Sequence, residues 1–227
     1  MPPSTVLISG GNSKAARQLI TTLLNHPQCP NLRILTRSQG VETLKRQFPL
    51  LSTLPHSIID GNFMDEATLL PSLQGVSIVV YNGPSIDQNE TCLASHEVEA
   101  RHSQDEINPT HYMQDVSLGH VMRTGKLPLG YSELVEQGFI DLRDFAMVLR
   151  LIILDPMKHN RATYELVTEN KSYLEVALIL QEVMGRDVQC EVIPPATYLA
   201  MLKEENVIQN EYAEDMVERI MSASSGV

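Results

Sequence analysis

The chain of 227 residues has no tryptophan, only 5% aromatic residues and three cysteines. Cys29, Cys92 and Cys190 are odd in number, far apart and without metal-type spacing, so reduced thiols are the simplest reading. Positive charge is also scarce. With 17 Lys and Arg against 28 Asp and Glu, the net charge is -11, and the clustered basic residues that bind a nucleic-acid backbone are missing. A direct nucleic-acid partner is therefore not expected; a dinucleotide remains open, because a few backbone amides and one Arg can hold it. No apolar run approaches the ~20 residues of a membrane span. The start, Met1-Pro2-Pro3-Ser4, carries neither a basic region nor an apolar signal core, so a cytoplasmic protein without membrane attachment is expected. What remains is a globular composition, 43% hydrophobic and 20% charged, on a length that suits one large domain or a domain with a subdomain.

The most informative stretch runs from Thr5 to Leu24. A short apolar run breaks at Gly10 and Gly11 and resumes with Ala15, Ala16, Leu19, Ile20, Leu23 and Leu24 at helical spacing, which reads as strand, tight turn and helix. Such a turn suits a phosphate: glycine lets the backbone approach an anion, and the helix N-terminus supplies N–H groups and a positive dipole end. The spacing, Gly10-x-x-Ser13-x-x-Ala16, matches the dinucleotide fingerprint in part. Ala16 keeps the third position small, and the Ser13 hydroxyl can donate to a phosphate oxygen. A buried strand joined to a helix by a Gly-Gly turn gives the same pattern without a ligand.

Downstream, Leu32 to Arg37 reads as a second strand, so a parallel βαβ unit opens the chain. Arg37 then stands at the C-terminal end of strand two, where an acid selects the free ribose 2′-hydroxyl of NAD and an Arg accommodates the 2′-phosphate of NADP. The acid is absent, so NADP is the expected cofactor. Val41 to Phe48 reads as a helix and Ser57 to Asp60 as a third strand. Asp65 caps a helix to about Leu73 that Pro71 interrupts or shortens, Gly75 stops it, and Val76 to Tyr81 is a fourth strand apolar enough to be buried on both faces. Together these make half of a doubly wound α/β sheet in the order 3-2-1-4, with ligand expected between strands one and four.

From Ser85 to Asn108 the chain turns polar, with a poorly hydrophobic helix at Leu93 to Ser103. His96, His102 and His111 with Glu97 and Glu99 raise the thought of a metal, but no ligand pair sits beside an independent second pair, and a solvated helix face is the better reading. Beyond it, Pro109 to Met122 enters a short helix, Thr124 to Gly130 is a loop, and Phe139 to Asp141 is a short strand with Asp141 capping a strongly apolar helix from Arg143 to Leu154. Tyr164 to Val167 follows as a strand. Ser172 and Glu175 form a capping box for a helix to Met184, Gly185 closes it, Val188 to Ile193 is a strand, and Pro195 to Lys203 and Glu211 to Met221 are helices ahead of a frayed tail.

Taken in order, several segments resemble the NmrA-like group of atypical short-chain dehydrogenases. They are the Ile8-to-Ala16 turn, Thr36-Arg37, the run Asp60-Gly61-Asn62-Phe63-Met64-Asp65, and Leu73 to Val76 leading into Tyr81-Asn82-Gly83-Pro84. Pro109-Thr110-His111-Tyr112-Met113 and Phe139 to Asp144 complete the set. The resemblance spans residues 4 to about 84 and 109 to about 221. It implies a Rossmann-like domain over residues 1–108 and a small α+β substrate-binding subdomain over 109–227. By position it places Gly10, Gly11, Asn12, Ser13 and Ala16 at the pyrophosphate, Arg37 at the 2′-phosphate, Asn62 and Phe63 by the adenine, and Asn82 and Gly83 beside the ribose and nicotinamide. His111 and Tyr112, at the cleft entrance, are the candidates for general acid or base work; core packing of Tyr112 and a turn-capping His111 is the plainer alternative.

The chain departs from that group in two ways. The segment between Pro84 and Pro109 is too short for the usual fifth and sixth strands, so an incomplete sheet is expected, and the apolar flank of strand four needs a cover. Leu93 to Ser103, the helix from Arg143 to Leu154, or the same surface of a second chain in a homodimer would each serve. Secondly, no Tyr-x-x-x-Lys occurs anywhere. The resemblance thus implies either an NADP-dependent oxidoreductase acting on a small organic intermediate, many of the group belonging to secondary metabolism, or a redox-sensing regulator that binds NADP without chemistry. A cofactor-free isomerase or lyase on the same scaffold is a third class.

Overall fold

The computed structural model describes residues 4–53, 56–62, 65–81 and 105–204. The chain divides into two compact units, one of Met1–Asn108 with Leu142–Tyr164 and the other of Pro109–Asp141 with Glu165–Val227. The expected boundary at 108 is one crossing; the segment Leu142–Tyr164 returns to the first unit.

In the first unit β1 (Thr5–Ile8), β2 (Asn31–Thr36), β3 (Ser57–Asp60) and β4 (Ile78–Val80) form a parallel sheet in the order β3-β2-β1-β4, as the sequence predicts. Ile8 stands opposite Ile34 on one side and Val80 on the other, and Val6, Leu7 and Ile8 are fully buried. A strand buried on both faces must be apolar at every position, and β1 is apolar from Val6 onward. Helix α1 (Lys14–Leu24) buries Ala15, Ala16, Leu19, Ile20 and Leu23; α2 (Ser38–Gln47) joins β2 to β3, and α3 (Glu66–Leu73) precedes β4. The strongly apolar helix Leu142–Leu154, α5 in chain order, packs against α1 and buries Phe145, Ala146, Leu149, Ile152 and Ile153. That interface explains why the segment leaves the second unit.

Helix α3 corrects one expectation, since it runs through Pro71. The proline removes one intrahelical donor, but Ala67 and Pro71 are exposed, so water replaces the lost bond. Asp65 caps this helix by accepting from Ala67 N at 3.0 Å, and Gly75 follows it at φ +70°. Strand β4 is shorter than the predicted Val76 to Tyr81 and half-buried, not buried on both faces. Among the described residues it forms the sheet's edge. The predicted helix at Leu93 to Ser103 and the one at Glu211 to Met221 lie outside the described residues.

Strand β5 (Glu106–Pro109) pairs with β9 (Thr163–Leu166) rather than extending the main sheet. In the second unit β6 (His111–Tyr112) and a 3-10 turn at Met113–Asp115 occupy the place where a helix entry is expected, and only Leu118–Thr124 is helical. With that helix counted as α4, Leu142–Leu154 is α5 and Pro156–His159 is α6. The presumed loop from Thr124 to Gly130 holds β7 (Lys126–Leu129), parallel to β11 (Gln189–Val192). Pro128 disguises it. Because β7 pairs on one side alone among the described residues and receives the Gln189 and Ile193 amides at Gly125 and Leu129 carbonyls, Pro128 need not donate. Strands β8 (Glu136–Ile140) and β10 (Glu169–Ser172) run antiparallel, with β6 parallel to β8. Helix α7 (Tyr173–Met184) carries the full capping box of Ser172 and Glu175 and ends on Gly185 at φ +64°, and α8 (Pro195–Glu204) follows β11. Val121, Leu127, Leu129, Ala177 and Val188 form one core of this unit.

Candidate functional site

The C-terminal ends of β1, β2 and β3 define one edge of the parallel sheet, and the sequence-predicted cofactor residues that are described gather along it. Ser9 N bonds Val80 O at 3.0 Å, and the chain then turns at Gly10, whose φ of +60° suits glycine. Gly11 N donates to Leu35 O at 3.2 Å, drawing the backbone so near β2 that a Cβ would press on Ile34 and lie 3.1 Å from Leu44 Cδ1. The glycines are thus required by close packing of the turn as well as by its dihedral angles. Ala16 is 2% exposed, which fits the small residue that the fingerprint demands there.

Ser13 has a structural task that the motif does not reveal. Its Oγ accepts from Ala16 N at 3.0 Å, making it the N-cap of α1, and Arg17 Nε donates to Asn12 O at 2.7 Å. No acidic residue occupies the first turn of α1, so the positive end of its dipole faces the turn without a carboxylate. That is the electrostatic setting for a pyrophosphate.

Arg37 follows β2 and is exposed at the N-cap position of α2, with no side-chain cap bond. Among the described residues its guanidinium has no hydrogen-bond or ion-pair partner. The nearest acid along the sheet edge, Asp60, accepts from Ser38 Oγ at 2.9 Å and so is held on β3, not at the end of β2. Asn62 lies exposed just past β3, its carbonyl accepting from Asp65 N and Thr68 Oγ1. Phe63, Asn82 and Gly83 lie outside the described residues, as do His96, Glu97, Glu99 and His102.

His111 and Tyr112 belong to the second unit. His111 is half-buried, its ring 6.0 Å from Phe139, and burial lowers its pKa below the usual imidazole value while Asp115 and a hydrogen bond to the Gly138 backbone oppose this. Burial, then Asp115, pushes the Tyr112 hydroxyl up to about 12, so it holds its proton and is not tuned to exchange it near neutrality. Sequence reasoning missed their surroundings: Asp115, which acts on both, and Tyr173, whose hydroxyl is raised by burial and lies beside Tyr131, ring centroids 5.8 Å apart. Only Asp115 was within reach of a sequence signal, three residues after Tyr112.

No protein-family profile matches the chain. Solved structures do share its fold at low identity. A nucleoside-diphosphate-sugar epimerase from Staphylococcus aureus is 15% identical with a TM-score of 0.71, over 97% of this chain and 90% of that one. Triphenylmethane reductase from Citrobacter sp., complexed with NADP(H), is 16% identical with a TM-score of 0.70 over the same shares. An NADPH-dependent quinone oxidoreductase from Escherichia coli, complexed with NADPH, is 14% identical with a TM-score of 0.72, over 97% and 89%. The fold is therefore an α/β Rossmann-like one, with the parallel sheet order β3-β2-β1-β4. Among the described residues no helix is long and apolar enough to cross a membrane.

Proposed function

We propose that the chain binds NADP at the edge formed by Gly10 to Ala16 and Arg37, and that it is an NADP-dependent oxidoreductase for a small organic substrate. The observation that carries the reading is Arg37: an exposed guanidinium without a partner among the described residues, at the strand end that meets the adenosine ribose in this fold. The residues fit the group, because the turn offers a close backbone approach and an uncompensated helix dipole for the pyrophosphate. When bound, NADPH supplies the hydride; the chain's own part is to bind and orient it. Two structural relatives whose fold it shares are complexed with NADP(H) or NADPH, which supports the same cofactor here. Secondary-metabolite biosynthesis is the setting that the sequence resemblance suggests.

Calorimetry tests the reading. NADPH is expected to bind more tightly than NADH, and Arg37→Ala to remove about 1–3 kcal/mol of that preference, the scale of a charge-assisted hydrogen bond. Equal affinities before and after the substitution would refute it. A second reading, an NADP-binding regulator without chemistry, is favoured by the missing Tyr-x-x-x-Lys and by the tightly held Tyr112 proton. Turnover of NADPH with any quinone or dye distinguishes the two, and loss of that turnover in both His111→Ala and Tyr112→Phe would assign those residues to it. A homodimer joined at the β4 flank is proposed alongside, to be checked by light scattering.

A further inference from the structure

Between the glycine turn and Arg37 lies a contact that no motif names. Gly40, in the first turn of α2, is buried, and its N–H donates to Arg37 O at 2.7 Å. A Cβ at position 40 would stand 2.5 Å from Thr36 Oγ1, 2.9 Å from Asn12 Cγ and closer still to Asn12 Nδ2, where real Cβ contacts under 3.0 Å essentially never occur. The Asn12 carboxamide thus fills the volume that any other residue at 40 would claim. Its Oδ1 is buried with no hydrogen-bond partner, a feature that weakens the fold and that packing alone does not explain. The same turn of α2 is held from its other flank by the bond from Ser38 to Asp60.

We propose that Asn12 and Gly40 lock the phosphate-binding turn to the start of α2, and that this lock fixes where Arg37 stands and so sets the preference for a 2′-phosphorylated dinucleotide. Both are positioning residues, acting through α2; the inference rests on the NADP reading above. Thr36, 6% exposed, closes the same contact from β2, and its carbonyl accepts from Gly61 N at 3.0 Å. One wedge therefore touches the three segments that must agree if turn and Arg37 are to grip one molecule.

Affinities for NADPH and NADH are measured by calorimetry for the unsubstituted chain, Asn12→Ala, Gly40→Ala and the double variant, with melting temperatures alongside. In Gly40→Ala the new methyl displaces the carboxamide, and NADPH binding is expected to weaken about tenfold with NADH changed less than about twofold. Asn12→Ala frees the α2 turn and is expected to lose several-fold of the preference. In the double variant the clash with the Asn12 carboxamide is gone and that with Thr36 Oγ1 remains, so the loss of preference is expected to be smaller than the two single losses combined, a non-additivity that unrelated stability losses do not produce. Should Gly40→Ala fail to fold, Asn12→Ala decides alone, since an unchanged preference there overturns the lock. Equal losses for both cofactors, or simply additive losses in the double variant, also overturn it while leaving NADP binding intact. If the unsubstituted chain binds neither cofactor, the NADP reading falls and the lock with it.

Discussion

The glycine turn of the first unit and the His111–Asp115 segment of the second both carry residues that the sequence marks as functional, yet they are made differently. The turn is built by backbone: a glycine at positive φ, a second glycine pressed on β2, and a helix end, all within seven residues that follow the fully buried run Val6 to Ile8. The second segment is built by side chains from distant parts of the chain, where His111, Phe139 and Tyr173 meet across β6, β8 and α7. Backbone sites sit on the deepest part of a core, whereas side-chain clusters in a smaller unit share their residues between packing and chemistry.

The largest test of that contrast is a cavity in each core. Leu7 is fully buried with Leu35, Leu69 and Val76, and Leu127 belongs to the smaller cluster with Val121, Leu129, Ala177 and Val188. Leu→Ala substitutions cost about 2–5 kcal/mol, and the cost falls where the surroundings can collapse. Leu7→Ala is expected in the upper half of that range and Leu127→Ala in the lower, read from urea midpoints at constant slope. Equal losses would show the second unit to be as tightly packed as the first.

What the sequence made legible follows the same division. The turn at Gly10 and Gly11, the capping box of Ser172 and Glu175 and the C-cap at Gly185 are set by residues within one element or its neighbour, and the order β3-β2-β1-β4 follows from the alternation of apolar strands and helices along the chain. Strands β6, β7 and β10 were hidden, the first two by brevity and by Pro128, the last because Glu169-Asn170-Lys171 is polar and pairs only with β8. The Asn12–Gly40 contact joins residues far apart in sequence and has no spacing rule, and because the helix starts at Ser38 rather than at the expected Val41, Gly40 falls inside it only in the structure. The Tyr131–Tyr173 pair leaves no local trace at all.

A smaller effect compares two serines with one geometry. Ser13 Oγ accepts from Ala16 N at 3.0 Å, and Ser172 Oγ accepts from Glu175 N at 3.2 Å while Glu175 returns a bond to Ser172 N at 2.8 Å. Replacing an N-cap serine by alanine costs about 0.5–2 kcal/mol, and by glycine only a few tenths. Ser172→Ala is expected near the middle of that range. On the NADP reading proposed above, Ser13→Ala should cost a similar amount in the free chain and a larger amount with NADPH present, because the cap and the proposed phosphate ligand would be lost together. A Ser13→Ala loss that does not depend on NADPH would make Ser13 a cap alone.

The smallest effect is the response to acid, and it sets the two units against each other through one histidine each. His56 Nδ1 accepts from Leu32 N at 2.9 Å, a role open only to an unprotonated nitrogen, and burial lowers its pKa. His111 is lowered by burial too, with Asp115 and the Gly138 backbone working the other way. For both, the folded value lies below the unfolded value of about 6.5, so the unfolded chain takes up protons first as the pH falls. Stability is then full above that value, declines as the pH drops through it toward the folded value, and declines no further from these groups below. Between pH 7.5 and 5.5 the urea midpoint is expected to fall, by a fraction of the Leu7→Ala effect. His56→Gln, whose amide oxygen can still accept from Leu32, should flatten the profile more than His111→Gln does, because protonating His56 breaks the bond it accepts from Leu32, whereas the bond of His111 to the Gly138 backbone survives protonation. A profile flattened mainly by His111→Gln would place the acid-sensitive site in the second unit and reverse the comparison.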